Sequence, residues 1–147
     1  MERYRHTQIG YFLIVTLIVS IVVIAILTKI QGFHPIATAV VIVLGVCLVL
    51  FCTLTVVIDR EFVKIWFGPG IIRKRFLLKD IISCRAVENS WSCGWGIHMT
   101  PHGVLYNVSG LQAVEIKMKG GAQFRIGTDV PQELERAIRQ ASETALR

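Results

Sequence analysis

The sequence predicts a membrane α-helical hairpin followed by a small, mostly β domain of about seven antiparallel strands, closed by a C-terminal amphipathic helix. Three observations carry this. Two long uncharged apolar runs fill the first third of the chain. From residue 54 the texture changes to short β-branched segments separated by glycine turns. The last twenty residues carry one apolar stripe at helical spacing.

The chain has 147 residues and is 53% hydrophobic, with a mean hydropathy of +0.58. That is more apolar than an ordinary soluble domain, and the excess is concentrated. Residues 7–28 and 35–58 contain no Asp, Glu, Lys or Arg. A helix crosses the hydrocarbon of a bilayer in roughly 20 apolar residues, and neither run has the polar stripe of a soluble surface helix. Spans are expected at 10–30 and 36–53, joined by a short external loop at 31–35 and preceded by a cytoplasmic tail at 1–9. The first run is longer than the apolar core of a signal peptide, so it is expected to stay in the mature chain. Arg3 and Arg5 precede the first run and only Lys29 lies near the hairpin tip, whereas Arg60, Lys64, Arg73, Lys74, Arg75 and Lys79 follow the second. The positive-inside rule then puts both termini in the cytoplasm and the protein in the cytoplasmic membrane as a multi-pass chain. In that reducing compartment the four cysteines need not pair.

Residues 54–147 form the expected cytoplasmic domain. LTVVI at 54–58 and FVKIWF at 62–67 read as strands; Gly68-Pro69-Gly70 then turns the chain into IIRKRFLL at 71–78, and IISCRAV at 81–87 follows. In AVEIKMK at 113–119, Val114, Ile116 and Met118 alternate with Glu115, Lys117 and Lys119, which predicts a strand with one face in water. Gly120-Gly121 turns it back into AQFRIGT at 122–128. Asp129 and Gln132 resemble a capping box with Pro131 in the first turn. Leu134, Ile138, Ala141 and Ala145 then form one stripe.

FGPGIIRKRFLLKDI, GWGIHMTPHGVLYNVSG and AVEIKMKGGAQFRIGTDVPQELERAI, taken in this order, resemble the membrane-anchored bacterial pleckstrin-homology-like (PH-like) proteins. The resemblance covers about residues 54–140 and lies in the spacing of FGxG, GxGI, YNVSG and IGTD-x-P. It implies a PH-like fold and little about activity, because folds host many functions. His98 departs from the pattern, since the sequences it resembles usually carry Arg there.

Candidate sites follow from the same residues. Cys93, His98 and His102 have ligand chemistry and a C-x4-H-x3-H spacing, yet structural zinc sites take four ligands, and a fourth would have to be Cys84 or a distant residue. A corner bent at Gly94 and Gly96 and packed by Trp91 is the better reading; a metal or redox site at these three residues is an alternative. No G-x-S-x-G elbow and no acid between Glu88 and Glu115 supports a catalytic triad, so no enzyme activity, cofactor or small-molecule substrate is expected. Arg73, Lys74, Arg75 and Lys79 form a juxtamembrane basic cluster suited to anionic lipid. Trp66 and Trp91 are candidate anchors for a partner. The net charge of +6 is explained by topology and does not point to nucleic acid. The expectation is a non-enzymatic binding or assembly module whose partners are membrane lipids and a protein, or a second copy within the membrane.

Overall fold

The computed structural model describes residues 3–146; residues 1, 2 and 147, the extreme ends of the expected tail and domain, lie outside them. Its first element is a strand. β1 (Tyr4–Ile9) pairs antiparallel with β2 (Thr53–Ile58), Tyr4 opposite Ile58 and Ile9 opposite Thr53. The expected tail at 1–9 is therefore part of the β-domain. Its sequence, YRHTQI, is short and polar, and its partner lies some fifty residues away, so local pattern could not reveal the pairing.

Between β1 and β2 run α1 (Tyr11–Gln31) and α2 (Pro35–Phe51), packed on each other, with no buried residue in either. The spans expected at 10–30 and 36–53 are thus helices, the second ending two residues early. At about 1.5 Å per residue α1 is roughly 31 Å long, long and apolar enough to cross a membrane. α2, with 17 residues, reaches roughly 26 Å on the same rise.

β2 continues through β3 (Phe62–Phe67) to β4 (Arg73–Leu77), giving a four-stranded sheet in the order β1-β2-β3-β4. A single 3-10 turn (Leu78–Asp80) leads to the second sheet. Its strands are β5 (Ile81–Glu88), β6 (Gly96–Thr100), β7 (Gly103–Asn107), β8 (Gln112–Met118) and β9 (Gln123–Gly127), in the order β5-β8-β9-β7-β6. The described residues form nine strands against the expected seven or so, and β1, β6 and β7 correspond to none of the segments read as strands from the sequence. The sheet is also not wholly antiparallel: β9 enters between β7 and β8 and runs parallel to β7. Gly127 permits this. A Cβ there would lie 2.1 Å from Asn107 Oδ1, closer than any real contact.

The core lies between the sheets, where Leu54, Val56, Ile58, Val63, Ile65 and Phe67 meet Tyr106, Val114, Ile116 and Ile126. α3 (Pro131–Ala145) closes it with Leu134, Ile138 and Ala141, as the stripe predicts. Glu135 on α3 also accepts the Ala86 N–H at 2.8 Å, so the helix shields the outer edge of β5. The predicted capping box does not form: Val130 occupies the cap position without a side-chain bond, while Asp129 turns to His6 on β1 at 2.5 Å.

β8 corrects the sequence reading in one respect. Lys117 keeps partial exposure and Lys119 is exposed, but Glu115 is only 1% exposed. It is flanked by Arg85 on β5 and Arg125 on β9.

Candidate functional site

Side chains alternate across a strand, and this divides the predicted basic cluster. Arg73 and Arg75 lie opposite Trp66 and Lys64 on the outer face of the four-stranded sheet. Following the register across gives one row of Arg5, Val57, Lys64 and Arg75, and a second of Thr7, Thr55, Trp66 and Arg73. The Arg5 guanidinium sits 5.9 Å from the Trp66 ring centre and that of Arg75 5.4 Å from Phe62, within cation–π range. Lys64 is neutralised by Asp59 at 2.5 Å. Burial raises the Asp59 carboxyl, but Lys64 and the backbone N–H groups of Glu61 and Phe62 outweigh it and hold it at about 2. Among the described residues neither Arg73 nor Arg75 forms an ion pair. The result is a basic, aromatic face with a shallow groove of about 570 Å³ along Lys64, Trp66, Arg73 and Arg75. Arg5, from the supposed tail, belongs to it; Lys79, in the 3-10 turn, does not.

Lys74 points the other way. It lies opposite Ile65, on the core side of β4, yet is exposed. On β6, Ile97 and Met99 lie opposite Tyr106 and Val104, which also face the core, and are nonetheless 40% and 91% exposed. Core-side residues on two facing strands are solvent-accessible because the sheets part there. β4 is the edge of one sheet and β6 the edge of the other. Between them an apolar slot of about 170 Å³ is lined by Ile65, Phe67, Ile72, Ile97 and Tyr106, with Arg73 and Lys74 at its rim. Each edge offers a row of backbone donors and acceptors with no neighbouring strand.

Cys93, His98 and His102 are not brought together. Among the described residues no three His, Cys, Asp or Glu side chains converge to hold a metal. His98 donates from Nε2 to the Trp95 carbonyl, beside Gly94, and so clasps the loop that crosses from β5 to β6. Cys93 lies in a 3-10 turn (Trp91–Cys93) within that loop, and His102 in the β6–β7 turn.

That loop and the β3–β4 turn both reach the helix ends. Trp95 stacks on Phe12 in the first turn of α1, ring centres 4.4 Å apart. Gly68 donates to the Thr53 carbonyl at 2.9 Å and lies so close to the last turn of α2 that a Cβ would come within 2.4 Å of the Val49 carbonyl oxygen.

Sequence reasoning missed the Glu115 centre. Glu115 accepts from Arg125 Nε and Nη2 at 3.0 and 2.8 Å and from Arg85 Nε at 3.1 Å, while Arg125 Nη1 donates to Asn89 Oδ1 at 3.0 Å. Burial raises the Glu115 carboxyl, but the two arginines outweigh it and hold it below the usual range. The signal was present: the Gly120-Gly121 turn sets a register that puts Glu115 opposite Arg125. Asn89 thereby ties the β5–β6 loop to the sheet.

No protein family, curated protein or solved structure matches the chain.

Proposed function

We propose that the chain is a non-enzymatic, membrane-tethered binding module. A PH-like domain is held at the cytoplasmic face of the cytoplasmic membrane by a two-span hairpin and receives an extended segment of a partner protein. The observation that carries this reading is the open slot between β4 and β6. Unpaired strand edges take up an extended peptide through main-chain hydrogen bonds, and apolar pockets select its alternate side chains. Lys74, pointing inward on an edge strand, opposes pairing with a purely apolar strand; together with Arg73 it favours a segment that carries carboxylates. Tethering raises the local concentration of such a domain toward other membrane proteins to the millimolar range, so a weak slot is sufficient.

Two packed sheets with a C-terminal helix across them agree with a PH-like domain, although β1 and the parallel β7–β9 pair are not features the sequence resemblance implied. The two-span topology is supported by pairing: Ile9 lies opposite Thr53 and the Gly10 N–H bonds the Cys52 carbonyl at 2.9 Å. If α1 crosses a bilayer, α2 has to bring the chain back.

A second reading, recognition of anionic lipid headgroups, is favoured by the basic outer face around Trp66, Arg73 and Arg75. One experiment separates the two. A photo-crosslinking amino acid is placed at Ile97, in the slot, or at Thr7, on the outer face, and the full-length protein is irradiated in native membranes. The partner reading expects protein adducts from position 97, and adducts from that position are its direct readout. Adducts only to lipid, and only from Thr7, would replace it with the lipid reading.

A further inference from the structure

We propose a second membrane contact, separate from the hairpin: the tip of the β3–β4 turn and the Trp91 turn dip into the interfacial layer of the bilayer and fix the domain in one orientation upon it. The proposal rests on the membrane reading of α1. It concerns Ile71 and Trp91, which the packing of the β-domain leaves unexplained. Both are large, apolar and turned outward, with 75% and 78% of their surface exposed.

Their position decides what covers them. Each belongs to a loop that physically touches a helix end. The β3–β4 turn begins at Gly68, pressed against the Val49 and Leu50 carbonyls in the last turn of α2, and Ile71 is three residues further on. The Trp91 turn runs directly into Trp95, whose ring stacks on Phe12 in the first turn of α1. Tyr11 and Phe12 are themselves 67% and 53% exposed, so aromatic side chains mark the level where α1 begins, and Trp91 precedes the stacked Trp95 by four residues. Tryptophan and tyrosine concentrate at this depth of membrane proteins, their rings in the apolar boundary and their polar edges in the headgroups. Behind Ile71, Arg73 is exposed and folds back onto the turn, its Nε donating to the Gly70 carbonyl, which sets a cation at the tip for lipid phosphates. The two loops flank the helix pair, one beside α1 and one beside α2. Their immersion therefore adds two points to the tether and stops the domain swinging about it. The β4–β6 slot lies between these loops, with Ile72 and Ile97 at their bases, so its open end is held at a defined height above the lipid.

Tryptophan quenching tests this on the full-length protein in vesicles of phosphatidylcholine and phosphatidylglycerol brominated high on the acyl chain. The expected result is that bromine quenches part of the fluorescence, that Trp91→Phe loses a share of that quenching, and that Ile71→Trp adds to it. Unchanged quenching in Trp91→Phe, or an added tryptophan at 71 that bromine does not reach, overturns the proposal and leaves these loops as a protein-contact surface. Alkaline carbonate extraction of the same vesicles separates the two levels of failure. Protein released into the supernatant overturns the membrane reading itself, whereas retained protein with unaltered quenching overturns only the loop contact.

Discussion

Glu115 is a carboxylate buried at the centre of an outer sheet face, and only its two arginine partners make that tolerable. Removing one member of a buried ion pair leaves the other uncompensated, at a cost of about 3–5 kcal/mol. Glu115→Gln is therefore expected to lower the stability of the detergent-solubilised protein by about 3 kcal/mol, read from urea unfolding. The double change Glu115→Leu with Arg125→Met should recover most of it; a double variant as unstable as the single would mean that the loss does not come from an uncompensated Arg125 charge. The pH dependence has a definite sign. Because the native carboxyl is held below its unfolded value of about 4.3, the stabilisation is complete above that value and is lost as pH falls toward the lowered one. In Glu115→Gln that acid limb should be missing. The alternation of AVEIKMK was legible and correctly gave a strand. It could not reveal that β8 has neighbours on both sides whose arginines close over its outer face. Likewise Arg73, Lys74 and Arg75 were legible as a basic run, and alternation alone separates Lys74 from its neighbours. That its side opens into a slot was not legible, because that depends on the edges of two sheets distant in sequence parting there.

At the scale of elements, β1 separates what pattern could give from what it could not. The apolar helices, the β8–β9 hairpin and the stripe of α3 are signals carried within a few neighbouring residues, and each was readable. β1 depends on a partner beyond two helices. Two of its three inward residues are polar, Gln8 donating to the Ser109 carbonyl at 3.0 Å and His6 reaching Asp129, and Tyr4 alone packs against the core, so its hydrophobic signal was weak. The consequence is testable. Since Ile9 and Thr53 are directly opposed, the whole helical hairpin can be replaced by a two-residue Asn-Gly turn, which suits adjacent antiparallel strands. A chain of residues 3–9, Asn-Gly and 53–146 is expected to fold as a soluble monomer with cooperative thermal unfolding. The same domain cut to 54–146 loses β1, leaves β2 as a bare edge and should aggregate. Equal behaviour of the two would show that β1 is dispensable.

For the whole molecule, the pairing of β1 with β2 constrains topology more tightly than charge counting does. The helices leave the β-domain side by side, so the residues before α1 and the domain after α2 must share one side of any bilayer the hairpin crosses. Only the tip at 32–34 reaches the other, and there Phe33 is 80% exposed with Lys29 the sole nearby Lys or Arg. With Cys47, Cys52, Cys84 and Cys93 replaced by alanine, Phe33→Cys should react with a membrane-impermeant maleimide added to intact cells. Glu143→Cys, on the exposed face of α3, should react only after permeabilisation. The opposite pattern would keep the hairpin but invert it, against the excess of Lys and Arg around the domain. Labelling of both sites from the same side would mean that α1 does not cross, and the exposed aromatic side chains Tyr11, Phe12 and Trp91 would then need a protein to cover them.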